Sequence, residues 1–405
     1  MRLSQRLPIR RCRALLLLAA LQPLPAVAGD LFPPEQLARI HEGLRDIYNL
    51  DHERAAANFE RMIADSPDDP AGYAYLATTL WRRELSEKQE LSIDRFAASD
   101  FFAEKARPLG NVDPVMEARF RQLSEEAITR AKRRLSRTAD DKTSLFLLGL
   151  TYQNLASFEV SLKRNWWAAF RYGTRAYGYN RDLSRDPQFY DARLAIGVYT
   201  YVAGSLGWSV RWLALLMGYR GSQERGKQEL EMAARQGQLA ADDARVILVL
   251  IHTREHDYQR AYSYLAELLK KYPRNYLLQL DMAGMALLMK NPDQAISTYQ
   301  DILRKHEALQ PNYQKLERAA LYNRLGVAFR ARNDLSASSD WFRRALAQPT
   351  ISVNAATLAH LELGKTLDLM GRRADAIAQY RIAAAAPDFA GSRQEAQRLL
   401  HPHVR

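Results

Sequence analysis

A curved all-α superhelix, a solenoid of paired helices, is the fold this sequence predicts, and three observations carry the prediction. Apolar residues recur at helical spacing along most of the chain. No stretch alternates with period two for long enough to argue a sheet. Several blocks of about thirty residues fall on one another with small, large and proline positions in register, the mark of a repeat array. The 405 residues are 47% hydrophobic and 26% charged, enough for a sizeable core with a solvated exterior.

The chain opens with a segment to be set aside. Arg2, Arg6, Arg10, Arg11 and Arg13 precede a short apolar run, Ala14 to Leu21. Pro23 and Pro25 follow, and Ala26-Val27-Ala28 offers a small-x-small cleavage site. The run is far shorter than the ~20 residues a spanning helix needs. Residues 1–28 are therefore expected to be a cleaved signal peptide, which would leave residues 29–405 in a bacterial periplasm. Arg10-Arg11 makes a weak twin-arginine motif because Cys12-Arg13 follows it, and Cys12 precedes the apolar run, where no lipid would be attached. Cys12 is the single cysteine, so the mature chain would have neither disulfides nor thiol chemistry. Five of the 58 Lys and Arg lie in this leader, against 46 acids overall, so the mature excess of positive charge is mild. The dense basic run Lys132-Arg133-Arg134 with Arg137 reads as a solvated helix face, and nucleic acid is not an expected partner.

The repeats follow in order. Residues 41–67 give Gly43, Ala55, Phe59, Met62 and Pro67, and PAGYAYLATTLW continues them. Residues 84–140 read as helical but fit no repeat frame, broken by Pro108, Gly110 and Pro114, and stand as an irregular insertion. Residues 144–155 and 166–179 make a pair joined by a long turn, as do 190–202 and 224–237. The compact frame returns at 244–273 and 276–303. It is clearest where 321–349 aligns with 357–387: Gly326 on Gly364, Ser338 on Ala376, Phe342 on Tyr380, Pro349 on Pro387. The spacing predicts that Gly326 and Gly364 face Ser338 and Ala376, letting two helices approach while the aromatics fill the adjoining groove. The prolines stop the second helix.

This pattern resembles the tetratricopeptide repeat, a helix–turn–helix unit of about 34 residues. The resemblance covers most of residues 36–387 and implies about seven helix pairs, with a concave face lined by the first helix of each. The members share a fold and no single function.

Motifs for chemistry are weak. His252-Thr-Arg-Glu255-His256 matches the H-x-x-E-H pattern of inverted zinc proteases. Zinc would need both histidines on one continuous helix, whereas the repeat frame ends the first helix between them. Packing and a turn are expected instead. Asp68-Asp69 and Asp242-Asp243 precede helices and are read as caps. Trp166, Trp167, Phe170, Tyr172, Tyr177 and Tyr179 are read as core by their spacing. No nucleotide, calcium or nucleophile motif appears, so neither a cofactor nor an enzymatic activity is expected.

The concave face is the expected binding surface. Its positions pair as Phe146/Leu150, Leu194/Val198, Val246/Leu250, Asp281/Met285, Asn323/Val327 and Leu361/Lys365, apolar in the middle and polar toward the C-terminus, where Arg330 joins Asn323 and Lys365. The lysine–asparagine pair with which tetratricopeptide domains clamp acidic chaperone tails is missing. Between 203 and 222, next to Tyr201, an apolar insert carries Trp208, Trp212, Leu215 and Leu216 on one helical face with Arg211 off it. A plug, a lid over a pocket and a peripheral membrane contact are its open fates. The expected function is protein or peptide binding in the cell envelope, with a small-molecule or lipid-binding accessory of a transport system as the alternative. The candidate residues are Phe146, Leu150, Tyr201, Trp208, Arg211, Trp212, Asp281, Asn323, Arg330 and Lys365.

Overall fold

The computed structural model describes residues 31–87, 112–205, 221–389 and 391–401. Over these residues the chain forms seventeen α-helices and no strand. They are α1 (Pro34–Tyr48), α2 (His52–Asp65), α3 (Pro70–Glu87), α4 (Pro114–Arg137), α5 (Lys142–Phe158), α6 (Trp166–Leu183), α7 (Ala192–Ser205), α8 (Gln223–Gln236) and α9 (Ala241–Arg254). Then come α10 (Tyr258–Lys271), α11 (Tyr276–Leu288), α12 (Pro292–Glu307), α13 (Arg318–Ala331), α14 (Leu335–Leu346), α15 (Val353–Leu369), α16 (Arg373–Ala385) and α17 (Ser392–Leu400). Each odd helix from α1 to α15 packs on the even helix after it, making eight hairpins closed off by α17. Along the array α1 meets α3, α3 meets α5, α5 meets α7, α7 meets α9 and α13 meets α15, so the odd helices form one layer.

The eighth pair comes from the stretch read as an irregular insertion. Within 84–140, helix α4 is the partner of α3 and stacks Phe120 on Phe158 of α5 with centroids 4.6 Å apart. Its buried residues Met116, Phe120, Leu123, Ala127 and Ala131 recur at helical spacing. The turn to α5 and the long separation from α3 had disguised it.

Local rules set the helix ends. Asp113, Asp141, Asn165, Ser222, Asp257, Asn275, Asn291, Asp334 and Ser352 each accept a backbone N–H from the first turn of the helix they precede. Five hairpins share one three-residue turn. Its middle residue is left-handed: Leu50, His256, Lys290, Asn333 or Gly371. The next residue donates its N–H back to the carbonyl five positions earlier, as in Asp51 to Asp46, Asp257 to His252, Asn291 to Ala286, Asp334 to Phe329 and Arg372 to Leu367. This double closure of the helix end is the Schellman motif. The turn between α5 and α6 is longer, a π-helical stretch over Glu159–Lys163 with Arg164 left-handed after it.

Hairpin closeness comes from glycine. A Cβ on Gly326 would fall 2.6 Å from Phe342 ring carbons, and one on Gly364 would fall 2.5 Å from the Tyr380 ring. The glycines receive the aromatic rings directly. Ser338 meets Thr366 Oγ1 of α15 at 3.2 Å, so it also serves the contact with the following hairpin. Gly43 receives the Phe59 ring in the same way.

Candidate functional site

Among the described residues, several of the expected groove positions are covered by the chain itself. Phe146 is buried, its ring edge-on to Phe32 at 6.2 Å and to Phe189 at 6.0 Å, so it is covered and not displayed. Leu150 is half-buried beside it, and together with Leu44, Tyr75, Leu194 and Asp243 they surround a cavity with ≈20 Å³ of room. That space holds about one water molecule. Asp191 faces it too, and one of its carboxylate oxygens accepts the N–H groups of Gln238, Leu239 and Ala240 at 2.8, 2.9 and 2.8 Å, fixing the start of α9. Tyr201 is buried in the α7–α8 core with Leu194 and Leu230.

The polar candidates nearer the C-terminus are engaged between hairpins. Asn323 Nδ2 donates to the Ala355 carbonyl at 2.8 Å, tying α13 to α15. Arg330 donates to the carboxylate and the backbone carbonyl of Glu362, and Lys365 holds the other carboxylate oxygen at 2.7 Å while reaching Glu395 at 2.9 Å. Burial works to raise the Glu362 carboxyl, but the two cations outweigh it and hold it below the usual range. Asn323, Arg330 and Lys365 are thus mortar between repeats, a correction to their reading as groove residues open to a ligand. Asp281 lies half-buried on α11. Trp208, Arg211 and Trp212 lie outside the described residues.

What fills the concave side of the middle repeats is the first hairpin. Tyr48 stacks on Tyr272 with centroids 4.7 Å apart and planes 16° from parallel, and its hydroxyl donates to Asp243. Arg82 of α3 donates to the same carboxylate at 2.6 Å and lies 5.3 Å from the Tyr48 ring centroid. Asp242 gathers Arg245 at 2.9 Å together with Lys271 and the Tyr272 hydroxyl. Burial, then the Asp243 charge, raises the Tyr48 phenol well above its ordinary value, and Tyr272 is raised by burial and Asp242. The Asp242-Asp243 pair was expected to cap α9. The capping position belongs to Ala240, and both carboxylates sit in the first turn, Asp242 binding Arg245 of its own helix and the end of α10, and Asp243 binding Tyr48 and Arg82 from the first two hairpins.

The turn after Tyr48 enters a receptor built from two distant loops. Asn275 Nδ2 donates to the Tyr48 carbonyl at 2.6 Å, and Asn312 Nδ2 donates to the Asn49 carbonyl at 2.6 Å and to Asp51 Oδ1 at 2.9 Å. The Arg274 guanidinium pairs with Asp51. Leu50 is buried and joins the cluster of Tyr276, Leu277, Leu280, Tyr313 and Leu316. Sequence reasoning missed this closure. Its one trace in the sequence is a leucine at the turn position where the other hairpins carry His256, Lys290, Asn333 and Gly371.

The zinc motif does not assemble. Helix α9 ends at Arg254, and His256 sits in the turn with φ +62°, its Nδ1 2.7 Å from the Tyr258 hydroxyl. His252 is buried and stacks on Tyr264 at 5.9 Å, and burial pushes its imidazole below the ordinary value. Among the described residues no group of three or more His, Cys, Asp or Glu could hold a metal. A recess of ≈380 Å³ lined by Arg235, Arg245, Arg260, Glu231 and Glu267 is polar, and its arginines are paired with neighbouring carboxylates. The aromatic helix α6 is less buried than its spacing suggested. Trp167 is 68% exposed, while Tyr172 and Tyr179 are half-buried and stack on Tyr152. Arg133 and Arg134 of the basic run pair with Asp68, Asp69 and Asp141.

The repeat geometry and the family comparison agree over one stretch. Residues 252–321, from the last turn of α9 into α13, match the family model for the tetratricopeptide repeat. Over this stretch the chain is similar to the tetratricopeptide repeat. The left-handed turn of that stretch recurs outside it, in α1–α2, α13–α14 and α15–α16, where a glycine also receives an aromatic ring. Among solved structures, the chain is similar to the crystal structure of the yeast Tom70, at 12% identity and a TM-score of 0.38, over 91% of this chain and 95% of that one. It is also similar to the crystal structure of the APC/C hetero-tetramer Cut9–Hcn1, at 14% identity and a TM-score of 0.22, over 91% and 90%. No curated protein matches the chain.

Proposed function

We propose that this protein is a non-enzymatic scaffold of the bacterial periplasm, exported by its basic and apolar leader, which binds an envelope protein or an extended peptide on its repeat surface. The array of stacked tetratricopeptide-type hairpins is the observation that carries the reading. Such an array presents a long, shaped surface. Asn323, Arg330 and Asp243 are held in contacts between repeats. The helices beyond the closure, α13 to α17, continue the array and extend the surface it offers a partner.

The reading is tested by fractionation and capture. A tagged full-length chain is expected in the periplasmic fraction, processed after Ala28. Affinity capture from envelope extracts is expected to recover a stoichiometric protein whose cross-links map to α9–α17. Native mass spectrometry showing a retained lipid or metabolite in place of a protein would favour the transport-accessory alternative, and turnover of a substrate would overturn both.

A further inference from the structure

We propose that the α1–α2 turn is a releasable latch, seated in a receptor site that binds a peptide turn presenting an apolar residue followed by a carboxylate. The argument starts from the comparison of equivalent turns. Five hairpins place one residue in the left-handed region, where a Cβ is disfavoured. Four fill it with His256, Lys290, Asn333 and Gly371, all exposed. The first hairpin alone among these five puts leucine there, and Leu50 is 5% exposed. Leu309 closes α12 in the same left-handed way and is 69% exposed, so the burial of Leu50 is set by what the tip touches and not by the turn.

The receptor reads a chain in the manner of a binding site. Two side-chain amides, Asn275 and Asn312, donate to the consecutive backbone carbonyls of Tyr48 and Asn49, a contact available to any peptide in that turn. The Arg274 backbone N–H reaches Asn49 Oδ1 at 3.3 Å, and its guanidinium takes the Asp51 carboxylate. Tyr276, Tyr313 and Leu316 are part of the apolar seat for Leu50. Every donor comes from the loops before α11 and α13, more than 220 positions from the turn they hold.

Release needs little rearrangement within any one hairpin. The first hairpin and the receptor loops lie in different repeats, so a small rotation at each intervening interface sums to a separation of the two. The contacts that part are polar at the rim, where Arg274 remains 42% exposed in its ion pair with Asp51, and apolar at Leu50 and Tyr48. The polar ones are exchangeable with water, and a competing peptide that presents an apolar residue replaces the rest. A partner carrying the turn would occupy the receptor, free the first hairpin and open the concave side. The proposal rests on the scaffold reading only in supposing an outside partner; the latch itself is testable without one.

The experiment uses the full chain and a fluorescein-labelled synthetic peptide of residues 44–56. Leu50→Asp is expected to keep the helical circular-dichroism signal while enlarging the radius of gyration in small-angle scattering. It is expected to bind the peptide at least about tenfold more tightly than the unsubstituted chain, whose site is occupied. Adding Arg274→Glu to Leu50→Asp abolishes peptide binding, and a peptide bearing Asp51→Arg restores it. Asn312→Ala, which removes two hydrogen bonds without adding charge, should enlarge the radius of gyration as Leu50→Asp does, with no gain in peptide affinity because a receptor donor is lost. Equal peptide affinity in all forms, unchanged scattering in both variants, or a joint collapse of helical signal in both would overturn the proposal. Loss of peptide binding with scattering still enlarged would overturn the receptor alone. Failure to capture an envelope partner bears on the scaffold reading and not on these results.

Discussion

Substituting Gly326 by alanine tests the packing logic of the hairpins most directly. In a helix interior the change by itself favours alanine by roughly 1 kcal/mol, through propensity and unfolded-state entropy. Here the new Cβ would lie 2.6 Å from two ring carbons of Phe342 and 2.9 Å from a third. That ring is fully buried, so it cannot swing into solvent, and α13 and α14 must part. Overpacking of this kind costs typically 1–3 kcal/mol and more where the obstacle is rigid, so the net expectation is a loss of about 1–2 kcal/mol. Gly173 on α6 is the internal control, since its Cβ would meet nothing within 4 Å. Gly173→Ala is expected to gain about 0.5–1 kcal/mol. Hydrogen exchange followed by mass spectrometry reads the local opening free energy of each hairpin, which suits a repeat array whose units can open separately. Protection should fall in α13 and α14 for Gly326→Ala and rise in α6 for Gly173→Ala. If Gly326→Ala protects its hairpin as Gly173→Ala does, close approach is not what the glycine provides, and the packing argument fails.

Other outcomes follow from the same contacts. Arg82→Met leaves the Asp243 carboxylate and the Tyr48 hydroxyl without their cation in a site about a fifth exposed, and should cost about 2–3 kcal/mol. A double-mutant cycle with Asp243→Asn should show coupling of about 1–3 kcal/mol, and additivity would mean the two do not interact. His52, buried against Ser86 Oγ at 3.0 Å, is lowered to about 4, by burial first and then by the Lys315 charge. Because the unfolded imidazole takes a proton near pH 6.5 and the folded one resists it, this stabilisation is complete above 6.5. It fades as pH falls toward 4, by about 3 kcal/mol at the limit. Urea midpoints at pH 7 and 5 should therefore drop more in the unsubstituted chain than in His52→Asn, and equal drops would contradict the assignment. His256→Gly should raise the thermal midpoint by relieving about 1 kcal/mol of left-handed strain. Elemental analysis should find the chain metal-free before and after; stoichiometric zinc lost on substitution would restore the protease reading.

Much of the fold was legible because its causes are local. Helical periodicity, Asp or Asn before the second helix of a pair, and glycines sixteen residues ahead of an aromatic all lie within one hairpin (Gly326 and Phe342, Gly364 and Tyr380). The same frame ended α9 between His252 and Glu255 and so dissolved the zinc motif. The candidate site was less legible. A position on the first helix of a repeat faces either a ligand or the next repeat, and spacing cannot tell these apart. Asn323, Arg330 and Lys365 proved to face neighbours. Phe146 proved to lie beneath Phe32, which precedes the first repeat altogether. Helix α4 was missed as a repeat partner because a long connection hid its register with α3.

By itself the amino-acid sequence determined that this chain makes paired helices, five of the pairs joined by tight turns, because those hairpins are closed by hydrogen bonds among residues close in order. Only the tertiary structure decided that the first hairpin returns to the loops around Asn275 and Asn312. That return is the sum of small rotations at successive interfaces, a quantity no single hairpin contains.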